Sequence, residues 1–301
     1  YGSLADDEEG FEDNDDIDEI TDEEIENKSD PSERISIIVY LNNIVRAAET
    51  YKKITHRLFE DSKINQKIKE LQDIKSFTSY IFLMHYLGSN HPKEQVLKVL
   101  DLIGILMLRR HITGKPTGQN DDIFANLLRI KESERTPDRK RKQLLESYPT
   151  DEYFEKNFPI HDFKQIDRAR YILTQIEYYN TGDTGEFIVS SPNDVHIEHI
   201  IPQKIDTMRY IEKFGDWISY LGDNAILIHK KKRNQIGNLT LLARDLNIGA
   251  SNNPYKKKTE FYKTSNFEIT KELANRDNFK FPDLDQRGRD LAKIAVKVWS
   301  F

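Results

Sequence analysis

The sequence has no cysteine, which excludes disulfides, thiolate zinc sites and cysteine nucleophiles together. That fits a reducing compartment such as the cytoplasm. Long apolar runs are also missing. The longest near the middle, Leu102 to Leu108, is far too short to cross a bilayer. No basic–apolar–small signal opens the chain, so no membrane partner is expected. There is no Gly-x-x-x-x-Gly-Lys-Ser/Thr loop, which excludes a phosphate cradle of that type. No internal repeat is present. The 301 residues suffice for one large domain or two ordinary ones. The chain starts at Tyr1 rather than Met, as expected of a piece of a longer protein.

Charge is present but segregated. Residues 6–30 hold fifteen Asp or Glu and one Lys, a charge of −14, in a chain whose formal net charge is −6. The remainder therefore carries +8. A basic body beside an acidic strip is compatible with a polyanionic partner. We read residues 1–31 as a solvated acidic linker or tail. The sharper alternative is a mimic of nucleic acid that shields the basic face.

From Ser32 the pattern is helical. Ile35, Ile38, Leu41, Ile44 and Val45 recur at helical spacing. The same period predicts helices over 63–75, 76–88, 94–110, 122–131 and 161–180, so residues 32–182 read as a helical domain. The texture changes after Asn180. Phe187–Ser190 and Val195–Glu198 are short and rich in β-branched or aromatic residues, as strands are. Residues 206–221 read as a helix with Trp217 as a core anchor, and Leu239–Leu242 as a strand. Residues 252–263 read as a helix with Asn252 as N-cap and Pro254 in the first turn. Residues 264–301 form a C-terminal helical segment, with an amphipathic helix over 285–301.

The chemistry concentrates in His196-Ile-Glu198-His199-Ile-Ile-Pro202-Gln203 and in Ile236-Gly-Asn238-Leu-Thr-Leu-Leu242, followed by Asn247 and Asn252. Hydrolysing a phosphodiester requires a base for water, which an imidazole can be. The leaving oxygen needs charge, which a divalent ion supplies. Mg²⁺ takes hard oxygen ligands, few of them from protein, and a Glu carboxylate or an Asn carbonyl is such a ligand. Alternate residues of a strand face opposite sides. Glu198 and His199 can therefore serve one site only where the strand ends, near Pro202. His196, two residues before Glu198, shares its face; extra ligand, supporting partner and simple packing all remain open for it. A zinc-protease reading fails, because that motif needs His-Glu-x-x-His on a helix.

These residues resemble the ββα-metal motif of HNH (His-Me finger) nucleases. The wording of the two clusters is similar to the C-terminal part of GmrSD-type, modification-dependent (type IV) restriction endonucleases. Ser251-Asn252-x-Pro-Tyr255-x-x-Lys258 and the upstream Leu108-Arg-Arg-His-Ile-Thr-Gly-Lys-Pro116 extend the likeness over roughly residues 33–301. The resemblance implies a mostly α fold, a helical bundle with an embedded ββα-metal nuclease domain near residues 183–263. It implies His199 as general base and Glu198 and Asn247 as ligands of one Mg²⁺, Mn²⁺ or other divalent ion. Asn238 would hold the loop that aims His199. Asn252 competes with Asn247 as ligand. The implied substrate is double-stranded DNA, in some cases modified. The implied setting is phage defence in a prokaryotic cytoplasm, with a nucleotide-hydrolysing or regulatory domain outside this sequence.

Two basic runs, Lys230–Arg233 and Lys256–Lys258, flank the motif. We expect Lys231, Arg233 and Lys258 to contact DNA phosphates, against the alternative of solvated faces. Arg109 and Arg110 are either DNA contacts or helix-terminal charges. Two other functions remain: a DNA-binding or partner-docking module with a vestigial site, and an RNA-directed enzyme of the same fold.

Overall fold

The computed structural model describes residues 37–130, 136–182 and 194–301. The acidic strip and the expected strand at 187–190 lie outside the described residues. The chain divides into two compact units, residues 1–46 and 47–301. In the first, residues 37–46 are helical, and Ile38, Leu41, Ile44 and Val45 are exposed. This helix, α1 (Ile37–His56), continues into the second unit.

The second unit is mostly helical, as the period predicts. It begins with α2 (Ser62–Asp73), α3 (Tyr80–Leu87), α4 (Lys93–Ile112) and α5 (Gln119–Arg129). Next come α6 (Pro137–Leu145), α7 (Asp151–Asn157) and α8 (Ile166–Thr181). Sequence periodicity missed α6 and α7, which are short but well started. Thr136 and Thr150 accept from the backbone N–H of Arg139 and Tyr153, satisfying donors that a helix start leaves open. Helix α8 begins at Ile166, five residues later than the apolar spacing suggests, and Phe163 is buried from the preceding loop.

Arg109 and Arg110 are buried at the end of α4. Arg109 donates to the Trp299 carbonyl at 2.8 Å, lies 2.6 Å from Asp151 and sits 4.5 Å from the Tyr148 ring centroid. Arg110 bonds Asn120 at 2.9 Å. Both therefore tie the helical layer to its loops, which settles the choice left open above: neither faces a DNA partner.

Two strands follow, β1 (Val195–His199) and β2 (Leu239–Ala243), paired antiparallel with Glu198 opposite Thr240 and His199 opposite Leu239. Between them run α9 (Met208–Phe214), α10 (Trp217–Leu221) and α11 (Ala225–Lys232). The single helix expected over 206–221 is broken at Gly215, whose φ of +90° suits glycine and ends α9. After β2 come α12 (Arg244–Ala250), α13 (Tyr255–Tyr262), α14 (Glu268–Lys271) and α15 (Phe281–Val298). Asn252 is not the cap of α13. Pro254 occupies the position before the helix, and no side chain caps it.

The hairpin lies between two cores. Val195, Ile197, Leu239 and Leu241 join a large core with α4, α8 and α15. Leu242, with Ile200 and Ile201 just past β1, joins a smaller core with Trp217, Tyr255, Tyr262 and Phe279. The period of two along β1 thus turns His196 and Glu198 toward the smaller core, where α12 and α13 lie. Among the described residues no helix is long and apolar enough to cross a membrane.

Candidate functional site

His199 closes β1 and is 8% exposed. Its Nε2 lies 3.2 Å from the Gln203 amide nitrogen. An amide NH2 only donates, so Nε2 is the acceptor in this contact. Burial pushes the His199 pKa down to about 4, against a hydrogen bond with the Asn234 side chain that raises it. The imidazole is therefore neutral at pH 7.

The chain on both sides of this ring is held. Asn238 is fully buried in the turn 236–238 that enters β2. Its Oδ1 accepts from the Ile201 N–H at 2.8 Å, and its Nδ2 donates to the Ile201 and Arg233 carbonyls, each at 2.9 Å. Its backbone carbonyl accepts from the Ile200 N–H at 2.9 Å. One asparagine thus satisfies the loop that leaves β1. His229, also buried, contacts the Pro202 carbonyl at 2.7 Å. The turn 236–238 is itself clamped by α15. Arg287 donates to the carbonyls of Ile236, Gly237 and Leu239 at 3.2, 3.1 and 2.7 Å.

Glu198 points the other way, into the smaller core. Lys258 donates to its Oε1 at 2.6 Å and Tyr262 donates to the same oxygen at 3.0 Å. Lys258 also donates to the His199 carbonyl at 2.7 Å. Burial pushes the Glu198 carboxyl up and the Lys258 ammonium down; their mutual attraction opposes both. The expectation that Lys258 contacts DNA phosphate is corrected here. Its side chain is 0% exposed, committed to Glu198 and to the backbone of β1. Lys231 and Arg233 are exposed. Their neighbour Lys232 pairs with Asp285.

Asn247 lies within α12 and not in a turn. Its Nδ2 is 3.3 Å from His196 Nδ1, so α12 brings it to the Glu198 face of β1. Asn252 accepts at its backbone carbonyl from Trp217 Nε1, 3.0 Å away. The structure therefore groups His196 with Asn247, Glu198 with Lys258 and Tyr262, and His199 with Gln203.

Residues 148–294 match the family model of the GmrSD restriction endonucleases, C-terminal domain. This segment is a GmrSD-type C-terminal domain. The match contains β1, β2 and every residue of the site just described. It leaves out the Leu108–Pro116 stretch. No curated protein matches the chain. As a GmrSD C-terminal domain, the segment is a nuclease domain of restriction-endonuclease type, with DNA as the substrate its family implies.

The donor set of this GmrSD domain sets what ion it suits. No group of three or more His, Asp or Glu among the described residues can enclose a metal. The Glu198 face instead offers one carboxylate, whose Oε1 already accepts from Lys258 and Tyr262, and the separate His196–Asn247 pair on the same face of β1. A hard divalent ion takes few protein oxygens and keeps most of its water, and an ion at Glu198 would have to share the carboxylate with the Lys258 ammonium. Sequence reasoning gave no role to Gln203, Asn234, His229, Tyr262 or Arg287. Gln203 sits inside the quoted motif and was open to notice; the others approach from distant positions with no local signal.

Proposed function

We propose that the domain is an HNH-type, metal-dependent endonuclease that hydrolyses DNA phosphodiesters in a modification-dependent defence system of a prokaryotic cytoplasm. The observation that carries this reading is the pinned imidazole. His199 sits at a strand end whose backbone is held by Lys258 at the His199 carbonyl and by Asn238 at Ile200 and Ile201. General-base catalysis needs a base in hydrogen-bond reach of its water, in its proton-accepting form. His199 takes the proton of the attacking water at Nε2, whose single lone pair passes from the Gln203 amide to the water when the water binds. Asn238 keeps the ring aimed. Glu198 and Asn247, with His196 beside them, are the groups that would hold Mg²⁺, Mn²⁺ or a similar ion. Such an ion supplies positive charge for the leaving oxygen. Lys231 and Arg233, both exposed on the segment next to the Asn238 turn, receive DNA phosphates. A nucleotide-hydrolysing or regulatory domain outside this sequence completes the system.

The ion pair of Glu198 with Lys258 favours a second reading, a DNA-binding or partner-docking module without turnover. One comparison separates the two. With Mg²⁺ or Mn²⁺, His199→Ala is expected to lower plasmid nicking by about 10²- to 10⁴-fold, the usual worth of a general base. Equal nicking by both proteins, or none by either with the regulatory partner present, removes the enzyme reading.

A further inference from the structure

A cavity of about 290 Å³ opens beside α13, away from the residues of the proposed catalytic site. Four aromatic side chains line it: Phe214 from α9, Trp217 and Tyr220 from α10, and Tyr255 from α13. The positive φ of Gly215 turns the chain between α9 and α10, so that Phe214 and Trp217 face the same space. The walls are ordered. Trp217 and Tyr220 meet edge to face at 5.3 Å, and Tyr255 stacks on Phe279 at 5.7 Å.

The rim is cationic. Lys256 lines the mouth. Lys213 Nζ lies 5.0 Å from the Phe214 ring centroid, and Lys280 Nζ lies 5.1 Å from that of Tyr220. Asp277 adds an exposed carboxylate at the edge, whereas Asp216 is already used to cap α10. Aromatic faces inside and ammonium groups around the mouth are what a single-stranded nucleotide needs. Rings stack on a base, and lysines meet its phosphates.

We propose that this cavity takes one unstacked nucleobase of a DNA strand, with the flanking phosphates on Lys213, Lys256 and Lys280. Its size, at the small end of ligand pockets, suits one heterocycle. Asp277 is placed to accept from an exocyclic amine, which cytosine, adenine and guanine carry. Helix α13 links the two sites: Tyr255 and Lys256 serve the cavity, and Lys258 and Tyr262 hold Glu198. A base held in the cavity fixes the strand relative to the helix that braces β1. The choice of DNA as ligand rests on the nuclease reading; the test does not.

The test is binding in EDTA, where no metal-dependent cleavage occurs. A single-stranded DNA pentamer is compared with an abasic pentamer of equal charge by fluorescence anisotropy. We expect the pentamer with bases to bind at least about fivefold more tightly, the low end of what one stacked base contributes. Phe214→Ala is expected to bind both strands alike. Phe214→Leu keeps the apolar volume without the ring and reads the same loss should the alanine variant not fold. Lys256→Ala is expected to weaken both strands together. Equal affinity of the unmodified protein for the two strands overturns the proposal, as does a folded Phe214 variant that keeps the full preference for bases. Because His199→Ala nicking is measured separately, a failed cavity and a failed nuclease give different results.

Discussion

Replacing Lys258 by methionine is expected to destabilise the chain by about 3–5 kcal/mol, the usual cost of breaking one side of a buried ion pair. The ammonium is 0% exposed and joins α13 to β1 at one atom. It meets Glu198 Oε1 at 2.6 Å and the His199 carbonyl at 2.7 Å, while Tyr262 supports the same carboxylate oxygen. Without it, Glu198 keeps one phenolic donor in a largely buried site. The carboxyl then takes up a proton or opens the smaller core. The double variant Glu198→Gln/Lys258→Met is expected to recover most of the loss, because an uncharged side chain at 198 removes the isolated charge and still accepts from Tyr262. Urea denaturation of the two variants checks this. A Lys258→Met protein as stable as the parent would mean that the pair contributes nothing. Nicking by the recovered double variant then reads the separate role of Glu198 toward a metal ion.

Gly237→Ala is expected to be more damaging than most glycine substitutions, by about 3 kcal/mol or more, beyond the ordinary range of overpacking. A Cβ at Gly237 would lie 2.1 Å from the Leu284 carbonyl oxygen and 3.0 Å from the Gly288 nitrogen. Both are backbone atoms of α15, so no side chain can swing away. Helix and turn must separate. The carbonyls of residues 236, 237 and 239 are the ones Arg287 holds, and Asn238 moves with them. Stability and nicking should therefore fall together, whereas His199→Ala should lose far more nicking than its loss of stability accounts for. Thermal unfolding beside a nicking assay distinguishes these patterns. A Gly237→Ala protein with parental stability would show that α15 does not press on this turn.

Much of this was legible in the sequence where the signal is local. Val195–Glu198 and Leu239–Leu242 are strands because their side chains fill two cores at once, and that leaves a run of apolar and β-branched residues. The pairing of Asn238 with the loop after His199 followed from the motif. Asn247 did not. Asn-Ile-Gly reads as a turn, yet here it is helical, because Gly249 gives room to Phe261, whose ring would lie 2.4 Å from a Cβ there. Packing of α13 on α12 overrides the local preference. Lys258 was misread for a similar reason. In a run of three lysines nothing marks the one that turns inward, and its partner Glu198 is sixty residues away. Helix α11 escaped notice because Ile226 and Leu227 are exposed, so its apolar positions do not trace a buried stripe.

The clamp of α15 on the Asn238 turn bears on how such a nuclease can be moved between proteins. The motif residues lie between 196 and 258, and that interval invites excision as a portable cassette. The atoms that shape it come from farther along: Arg287 and the backbone around Leu284 and Gly288. A fragment ending at residue 263 carries every residue of the signature and none of its vice. The heritable module is longer than its motif.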